Sequence, residues 1–253
     1  MKKMLTSLAL AVSVLALSVS AQAGVLRAVL DFESPIDPAG VPFAPYLTNE
    51  DIFIQPGLGD GHEFFFNPFS VSALAELGDL VGEIIDGASG GACAGIACPV
   101  NNDSTYLNIY NDAALAFGAV DGFRFSVKSF SASFIGNGDP TFAIPGAVRM
   151  RGVLDNAATD FLAVLGGPDA NGDLHFANYI TDPAYAAKEF DFVIAFGLAC
   201  TVSSGSGCSA FNSNRAQFAL DNIAVEHVPE PASLALLGAA GLAAVGARRR
   251  RFV

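Results

Sequence analysis

Apolar and polar residues alternate along much of the chain, most clearly at residues 123–128, 148–152 and 190–196. Successive side chains of a β-strand point to opposite faces of its sheet, so this period of two predicts strands with one buried face. In the third segment, the predicted buried face carries Phe190, Phe192, Ile194 and Phe196. Weaker patterns predict six more strands, at residues 25–32, 105–110, 129–135, 160–165, 174–180 and 217–225.

Turn residues separate several of these segments. Residues 136–140 read Gly-Asn-Gly-Asp-Pro and residues 169–173 read Asp-Ala-Asn-Gly-Asp, and the second of these predicts a hairpin turn between its neighbouring strands. One helix is predicted at residues 71–85, where leucines recur at helical spacing behind Ser70 or Ser72 as a cap. Many short strands with little helix predict an all-β fold, a jelly-roll-like two-sheet β-sandwich with one short helix.

The first residues of the chain have the order of a secretory signal peptide. Met1-Lys2-Lys3 is cationic, residues 5–19 are apolar, and Ala21-Gln22-Ala23 forms an A-x-A cleavage site. Residues 1–23 are therefore predicted to be a signal peptide helix. The mature chain is predicted to begin at Gly24, after Sec export and cleavage by signal peptidase.

A second apolar segment lies near the other end of the sequence. Residues 232–247 carry no charge, and as a helix with a rise of about 1.5 Å per residue they would extend roughly 24 Å. This is shorter than a bilayer core of about 30 Å, so the predicted transmembrane helix would be a poor permanent anchor. The basic residues that follow are expected to stay cytoplasmic; they are Arg248, Arg249, Arg250 and Arg251.

Pro229-Glu230-Pro231, the apolar helix and the arginine cluster, taken in this order, resemble the PEP-CTERM sorting tail. Residues 217–223 also resemble a subset of that family with a Q-F-x-x-D motif before the tail. The resemblance implies a Gram-negative, exopolysaccharide-producing setting, in which the membrane enzyme exosortase recognises and removes the tail. It also implies transient anchoring in the inner membrane before the protein reaches the cell surface or the medium. Residues 24–228 are then the ectodomain, and residues 229–253 are the sorting tail.

Charge is unevenly distributed along the chain. Seven of the 13 basic residues and 24 of the 25 acidic residues lie between residues 24 and 228, so this segment carries a net charge of about −17. Such a surface repels nucleic acid and anionic lipid, which excludes them as partners. It suits solubility outside the cell and the binding of divalent cations.

The four cysteines lie at the ends of two short, glycine-containing loops, Cys93 with Cys98 and Cys200 with Cys208. Four cysteines allow three connectivities, and the oxidising periplasm favours disulfides. Local pairing within each loop is the prediction, because short loops bring the two sulfur atoms together easily. A zinc site is the alternative, but neither spacing is C-x-x-C and no nearby histidine completes one.

Several patterns suggest catalysis or binding but have simpler explanations. Residues 87–91 match G-x-S-x-G, yet the cysteines and proline that follow leave no room for the helix that this motif needs, which favours a glycine-rich loop. Residues 169–173 begin like a calcium loop, but the sixth and twelfth positions, Leu174 and Ile180, do not fit one. The histidines, at 62, 175 and 227, have no metal-ligand spacing. Paired carboxylates for glycoside hydrolysis stay open, because so many acids offer many pairs.

The ends of the ectodomain predict one metal site. Asp31 and Glu33 lie at the end of the first predicted strand, and Asp221 lies in the last one. This arrangement resembles carbohydrate-binding jelly rolls whose terminal strands pair and hold a structural calcium ion. Calcium takes six to eight oxygen ligands, which two or three carboxylates and backbone carbonyls would supply. The alternative is that Asp31 and Asp221 only accept backbone N–H bonds at strand ends.

Aromatic composition bears on ligand binding. The chain has 21 Phe, five Tyr and no Trp, so most rings are expected in the core rather than in a sugar-stacking site. Residues 64–66 are three consecutive phenylalanines, which predicts either an exposed contact or a strand between two apolar layers. The sequence thus predicts a non-catalytic surface or matrix protein, structural or binding exopolysaccharide or a protein partner. The alternative is a secreted polysaccharide hydrolase or lyase on the same scaffold.

Overall fold

The computed structural model describes residues 25–40, 42–57, 62–89, 97–110, 113–136, 146–200, 207–211 and 214–227. Residues Arg27–His227 form one compact unit. Its strands are β1 (Leu26–Leu30), β2 (Tyr46–Thr48), β3 (Phe53–Pro56), β4 (Glu63–Ser70), β5 (Leu80–Asp86), β6 (Thr105–Ile109), β7 (Ala113–Ala119), β8 (Ser126–Phe134), β9 (Gly146–Leu154), β10 (Ala157–Val164), β11 (Ala177–Ile180), β12 (Phe192–Cys200), β13 (Cys208–Ser209) and β14 (Phe218–His227).

The strands form two seven-stranded sheets that pack face to face. Sheet A has the order β11-β8-β14-β6-β5-β2, and β1 pairs with β14 beside this path. Sheet B has the order β10-β9-β12-β7-β4-β3, and β13 pairs with β12. The predicted all-β sandwich is confirmed. So is the expectation that the first and last strands of the ectodomain meet.

Phenylalanine rings fill the space between the sheets. Phe66 stacks on Phe53 and on Phe117, with ring centroids 4.9 and 5.7 Å apart, and all three are fully buried. Where Phe134 of sheet A meets sheet B, the facing residue is Gly146, and a Cβ there would lie 2.1 Å from the ring. The expectation that most phenylalanines are core residues is confirmed for the part of the chain described here.

The three consecutive phenylalanines lie in β4. Phe64 and Phe66 face the core, whereas Phe65 lies on the other face of sheet B and is half-buried beside Gly118. A strand between two apolar layers, the second of the two interpretations, therefore describes this segment. None of the three rings is an exposed contact.

The helix predicted at residues 71–85 is wrong. Its second half is β5, which pairs with β6 and β2, and its first half contains turns. Leu74 and Leu77 are 88 and 76% exposed, so they form no buried helical stripe. Among the described residues, the one α-helix is α1 (Pro183–Ala186), where the carboxylate of Asp182 accepts the N–H groups of Ala184 and Tyr185 as a cap.

The prediction for β12 is correct for the strand and for the burial of Phe190 and Phe196, which are 1 and 6% exposed. It is wrong in placing Ile194 and Phe196 on the face towards the other sheet. Val193 and Ala195 are fully buried and pair with core residues of β9, whereas Ile194 and Phe196 pair with Arg151 and Arg149 on the outer face of sheet B. Strand alternation fixes which residues share a face but not which face is buried. The small residues face the core because rings from other strands already fill it.

The turn at residues 169–173 does not form the predicted hairpin. The turn exists, with Gly172 at φ 89° and its N–H donated to the Asp169 carbonyl. However, the strand before it, β10, belongs to sheet B and the strand after it, β11, belongs to sheet A. The segment is a crossover between sheets, because β10 pairs with β9 and β11 pairs with β8.

Candidate functional site

The first and last strands meet at a polar junction, which contains all three residues of the predicted calcium site. Asp31 and Glu33 follow β1, and Asp221 lies inside β14. Phe32 and Asn222 both have left-handed backbone conformations, with φ of 59° and 50°. Such values are uncommon outside glycine, and Phe32 is a bulky residue, so the junction holds a strained backbone on its β1 side.

Asp221 is fully buried and accepts four hydrogen bonds. Its Oδ2 accepts from Asn102 Nδ2 at 2.9 Å, Ser104 Oγ at 2.8 Å and Asn222 Nδ2 at 2.7 Å, and its Oδ1 accepts from the Asn222 N–H at 2.7 Å. Burial raises the pKa of Asp221 above its ordinary value, although these hydrogen bonds oppose the shift; the nearby charge of Asp31 adds to it.

The other two carboxylates bind different parts of the domain. Asp31 Oδ1 accepts from Gln55 Nε2 at 2.7 Å and from the Glu33 N–H at 3.2 Å. Gln55 Oε1 in turn accepts the Phe32 N–H at 3.1 Å, which holds the strained residue in place. The two oxygens of Glu33 accept the N–H and the hydroxyl of Thr105, both at 2.9 Å.

This geometry bears directly on the calcium prediction. Among the described residues, no group of three or more His, Cys, Asp or Glu side chains is arranged to hold a metal ion. Asp31, Glu33 and Asp221 are each hydrogen-bonded to protein donors, including backbone N–H groups at Asp31 and Asp221 as the alternative interpretation expects. Calcium therefore stays a prediction without a three-carboxylate cluster to support it. The hydrogen bonds of the junction tie Asn102 and Ser104 to β14, and they tie the residues after β1 to Gln55 and Thr105.

The Q-F-x-x-D segment is part of the same junction. Gln217, Phe218 and Asp221 are all buried, and the Gln217 carbonyl accepts the Ile135 N–H at 3.2 Å. Its residues thus belong to the core and to the buried hydrogen-bond network of the last strand. In this structure, the motif thus spans the start of β14, the last strand of sheet A in chain order.

A second buried carboxylate was not predicted. Glu83 of β5 lies on the outer face of sheet A, where its Oε2 accepts the Tyr110 hydroxyl at 2.6 Å. Tyr106 lies on the same face, and its buried hydroxyl has no hydrogen-bond partner in the part of the chain that the structure describes. Burial and the charge of Glu83 raise the pKa of Tyr106 to about 12. Phe176 covers Tyr106 in an edge-to-face contact at 5.2 Å, so this polar cluster is enclosed.

The remaining candidates from the sequence lie apart from one another. Gly87–Ser89 forms a single 3-10 turn after β5, and the rest of the G-x-S-x-G match, residues 90 and 91, lies outside the described residues. Asp169 Oδ1 accepts the N–H groups of Asn171 and Asp173, which lowers its pKa and makes it a turn residue. The histidines have separate partners: His62 with Asp121 at 2.8 Å, His175 with Asp169 at 3.1 Å, and His227 with the Arg124 carbonyl at 2.6 Å.

One predicted disulfide is confirmed. Cys200 on β12 and Cys208 on β13 are cross-strand partners and form a disulfide. This pairing rules out both connectivities that would join the two loops. Cys93 lies outside the described residues, so its predicted bond to Cys98 stays a prediction.

The predicted processing residues also lie outside the described ranges. They are Ala21, Ala23 and Gly24 at the signal cleavage site, and Pro229, Glu230, Pro231, Arg248, Arg249, Arg250 and Arg251 in the tail. Within the ranges that the model does describe, no helix has the length and apolar character needed to cross a membrane.

Comparison with known proteins identifies the tail. The family model of the PEP-CTERM protein-sorting motif matches residues 227–251, directly after the last strand of the sandwich. The match covers 25 of the 253 residues, and no curated protein matches the chain. The motif indicates an exported protein that exosortase processes and that becomes associated with the cell surface.

Proposed function

We propose that this protein, delivered through its PEP-CTERM motif, is a non-catalytic component of the cell surface or extracellular matrix. Its sandwich domain acts either as a structural unit or as a binding module for exopolysaccharide or another matrix protein. The observation that carries the proposal is the position of the motif: it begins at residue 227, where β14 ends. The motif and β14 share only residue 227, so removal of the tail near residues 229–231 would leave the sandwich domain whole.

The buried carboxylates support a structural rather than a catalytic role. Asp221 and Glu83 are enclosed, and each is hydrogen-bonded to side chains that position neighbouring strands or loops. A general acid or base must reach the substrate, and a nucleophile needs an adjacent base. Neither carboxylate is placed for such a step in the described part of the chain.

Processing is tested by intact mass spectrometry of material released by a host that has exosortase and by the same host without it. We expect a mature chain that starts at Gly24 and ends near residues 229–231, formed only when exosortase is present. Glu230→Ala should reduce release, whereas Asp103→Asn, on the exposed surface, should not. Released protein that still carries Arg248 to Arg251 would refute the processing step.

The non-catalytic role is tested separately. The purified full chain is incubated with a panel of bacterial exopolysaccharides, and both retention and cleavage are measured. Retention without shortening of the polymer is the expected result for a binding module. If the polymers are neither retained nor cleaved, the result favours the structural unit. Cleavage would favour the alternative, a secreted hydrolase or lyase.

A further inference from the structure

Two of the domain's few basic residues lie side by side on the outer face of sheet B. Arg149 and Arg151 are two positions apart on β9, so their side chains leave the same face of the strand. They share one carboxylate: Asp160 forms two bonds with Arg151, at 2.8 and 2.9 Å, and lies 3.6 Å from Arg149 Nη1. The three side chains together therefore carry one net positive charge.

Other basic residues of the domain have partners of their own. Arg27 bonds Glu226, Arg124 bonds Asp155 and Asp191, Lys128 bonds the Ala186 carbonyl, and Lys188 bonds Thr159. Arg149 differs, because its contact with Asp160 is long and its buried Nε has no hydrogen-bond partner among the described residues. In the part of the chain described here, the two arginines thus share one carboxylate, so this site keeps one net positive charge in a segment with a charge of about −17.

An aromatic ring holds both guanidinium groups in place. The guanidinium carbons of Arg149 and Arg151 lie 5.6 and 5.7 Å from the centroid of Phe196, within cation–π distance. The two arginine side chains are nevertheless 31 and 39% exposed, so their donor groups reach solvent. Because stacking already orders these long side chains, a ligand would lose less entropy in ordering them.

The edges of this face are apolar. Leu162 and Val164 of β10 lie on the same face as the arginines and are 39 and 42% exposed. On the other side, the ring of Phe211 packs on Phe196 with centroids 5.2 Å apart, although Phe211 has a strained φ of 62°. The nearby Cys200–Cys208 disulfide fixes the start of that segment. Strained backbone held by a cross-link often marks a functional position.

We propose that this arginine face, Arg149 and Arg151 over Phe196, binds the carboxylate groups of an acidic, uronic-acid-containing polysaccharide. Guanidinium groups bind carboxylates through paired hydrogen bonds, and a sugar ring can lay its C–H face on the apolar rim. The domain's net charge of about −17 opposes every polyanion, so the proposal is confined to local pairing of single carboxylates with the two guanidinium groups. Nucleic acid fits less well, because its binding relies on many phosphate contacts spread over a basic surface. The inference rests on the proposed binding role and names the ligand class for it.

The test uses the full chain in mild detergent and immobilised polygalacturonate, with fully methyl-esterified polygalacturonate as the neutral control. We expect retention on the acid and none on the ester. Arg149→Gln combined with Arg151→Gln should reduce retention at least tenfold. Arg124→Gln, which removes an exposed arginine paired elsewhere, should leave it unchanged.

Asp160→Asn separates binding from a purely structural ion pair. Removal of the competing carboxylate frees Arg151, so retention on polygalacturonate should increase several-fold even though an ion pair is lost. This variant also keeps the proposal testable if the double variant does not fold. Unchanged retention in both variants would overturn the proposal. Binding to poly-L-glutamate that is as tight as binding to polygalacturonate, or tighter, would also overturn the proposal, because it would assign the face to an acidic protein segment. Both of these outcomes would leave the proposed processing by exosortase unaffected.

Discussion

The buried carboxylate of Asp221 gives the sharpest test of the terminal junction. In Asp221→Ala, donors on Asn102, Ser104 and Asn222 lose their acceptor. A lost hydrogen bond costs about 0.5–1.5 kcal/mol net, and a donor left buried without a partner costs about 1–3 kcal/mol. Relief of the buried charge offsets part of this loss. We therefore expect the free energy of unfolding at pH 7 to fall by about 2–4 kcal/mol.

Asp221→Asn separates the charge from the shape of the side chain. Asparagine keeps an acceptor at the position of Oδ2, which receives three of the four hydrogen bonds. It also removes the charge, whose burial is the largest cause of the raised pKa of Asp221. The gain from removing the buried charge opposes the loss of the fourth hydrogen bond, from the Asn222 N–H to Oδ1. We therefore expect the free energy of unfolding to fall by less than about 1 kcal/mol at pH 7.

The pH dependence follows from the direction of the shift. The pKa of Asp221 is higher in the folded protein than in the unfolded chain, where it is about 3.9. Between these two values the folded protein binds more protons, so the stability from this group falls as the pH rises through the window and is lowest above it. Asp221→Asn lacks this dependence. The stability of the wild type relative to Asp221→Asn should therefore increase as the pH is lowered from 7 towards 4.

Thermal and urea unfolding of the full chain, followed by circular dichroism, measure these differences. A loss of about 3 kcal/mol corresponds to a decrease of about 6–12 °C in Tm for a domain of this size. Asp103→Asn is the matched control for Asp221→Asn, because it makes the same chemical change on an exposed residue between the two loop residues, Asn102 and Ser104, that donate to Asp221. A Tm for Asp221→Ala within a degree of the wild type would refute the assigned role. A pH-independent difference from Asp221→Asn would refute the raised pKa.

Three further predictions concern packing and cross-links. Tyr110→Phe should lower the free energy of unfolding by about 1.5–3 kcal/mol because buried Glu83 loses a donor, whereas Tyr106→Phe removes a hydroxyl with no partner among the described residues and should be neutral or stabilising. Equal effects of the two variants in urea unfolding would contradict these contacts. Gly152→Ala should cost about 1–3 kcal/mol, since its Cβ would lie 2.4 Å from a core phenylalanine ring, while Gly166→Ala meets no atom within 4 Å and should change Tm little. Replacing both cysteines of the described disulfide by serine should cost about 1–2 kcal/mol, and a melting curve insensitive to reductant would argue against that bond.

The strands predicted from the sequence are those in which residues facing the core alternate with residues facing outward. In β8, β9 and β14, buried and less buried residues alternate closely enough for the period of two to be visible. β7 was not predicted, because Ala113 to Ala119 include no polar side chain and are mostly buried on both faces, so apolar and polar residues do not alternate. A short apolar run of this kind looks the same in a buried strand and in a helix.

The wrong helix at 71–85 shows the limit of helical spacing as evidence. Gly78 has a φ of 89°, and a Cβ on Gly82 would lie 2.4 Å from the Asn108 carbonyl, so both glycines are needed by the turn and by close strand packing. Glycine inside a helix is unfavourable, and this signal was present in the sequence. Strand pairing with β6 then determined the structure of the second half.

The candidate sites also contain residues that could be predicted from the sequence and residues that could not. The resemblance to carbohydrate-binding jelly rolls placed Asp31 and Asp221 on terminal strands that meet, and β1 does pair with β14. Asp221, however, lies inside β14 and not at its end. It could not predict the donors from Asn102 and Ser104, because those residues come from a distant loop. The arginine face was equally hidden, since the pattern of β12 shows that Ile194 and Phe196 share a face but not that this face is the outer one.

The position of β14 in sheet A has a consequence for the order in which the protein is made and exported. β14 is the last strand of the domain, yet it lies between β8 and β6 and also pairs with β1. Ribosomes add about 5–20 residues per second, so β1 is complete on the order of ten seconds or more before β14 exists. During that interval sheet A has no strand joining its two halves, and contacts between distant residues form slowly in any case. Sheet A therefore cannot be completed while the chain is being synthesised. An incompletely folded polypeptide is one that can pass through a narrow membrane channel.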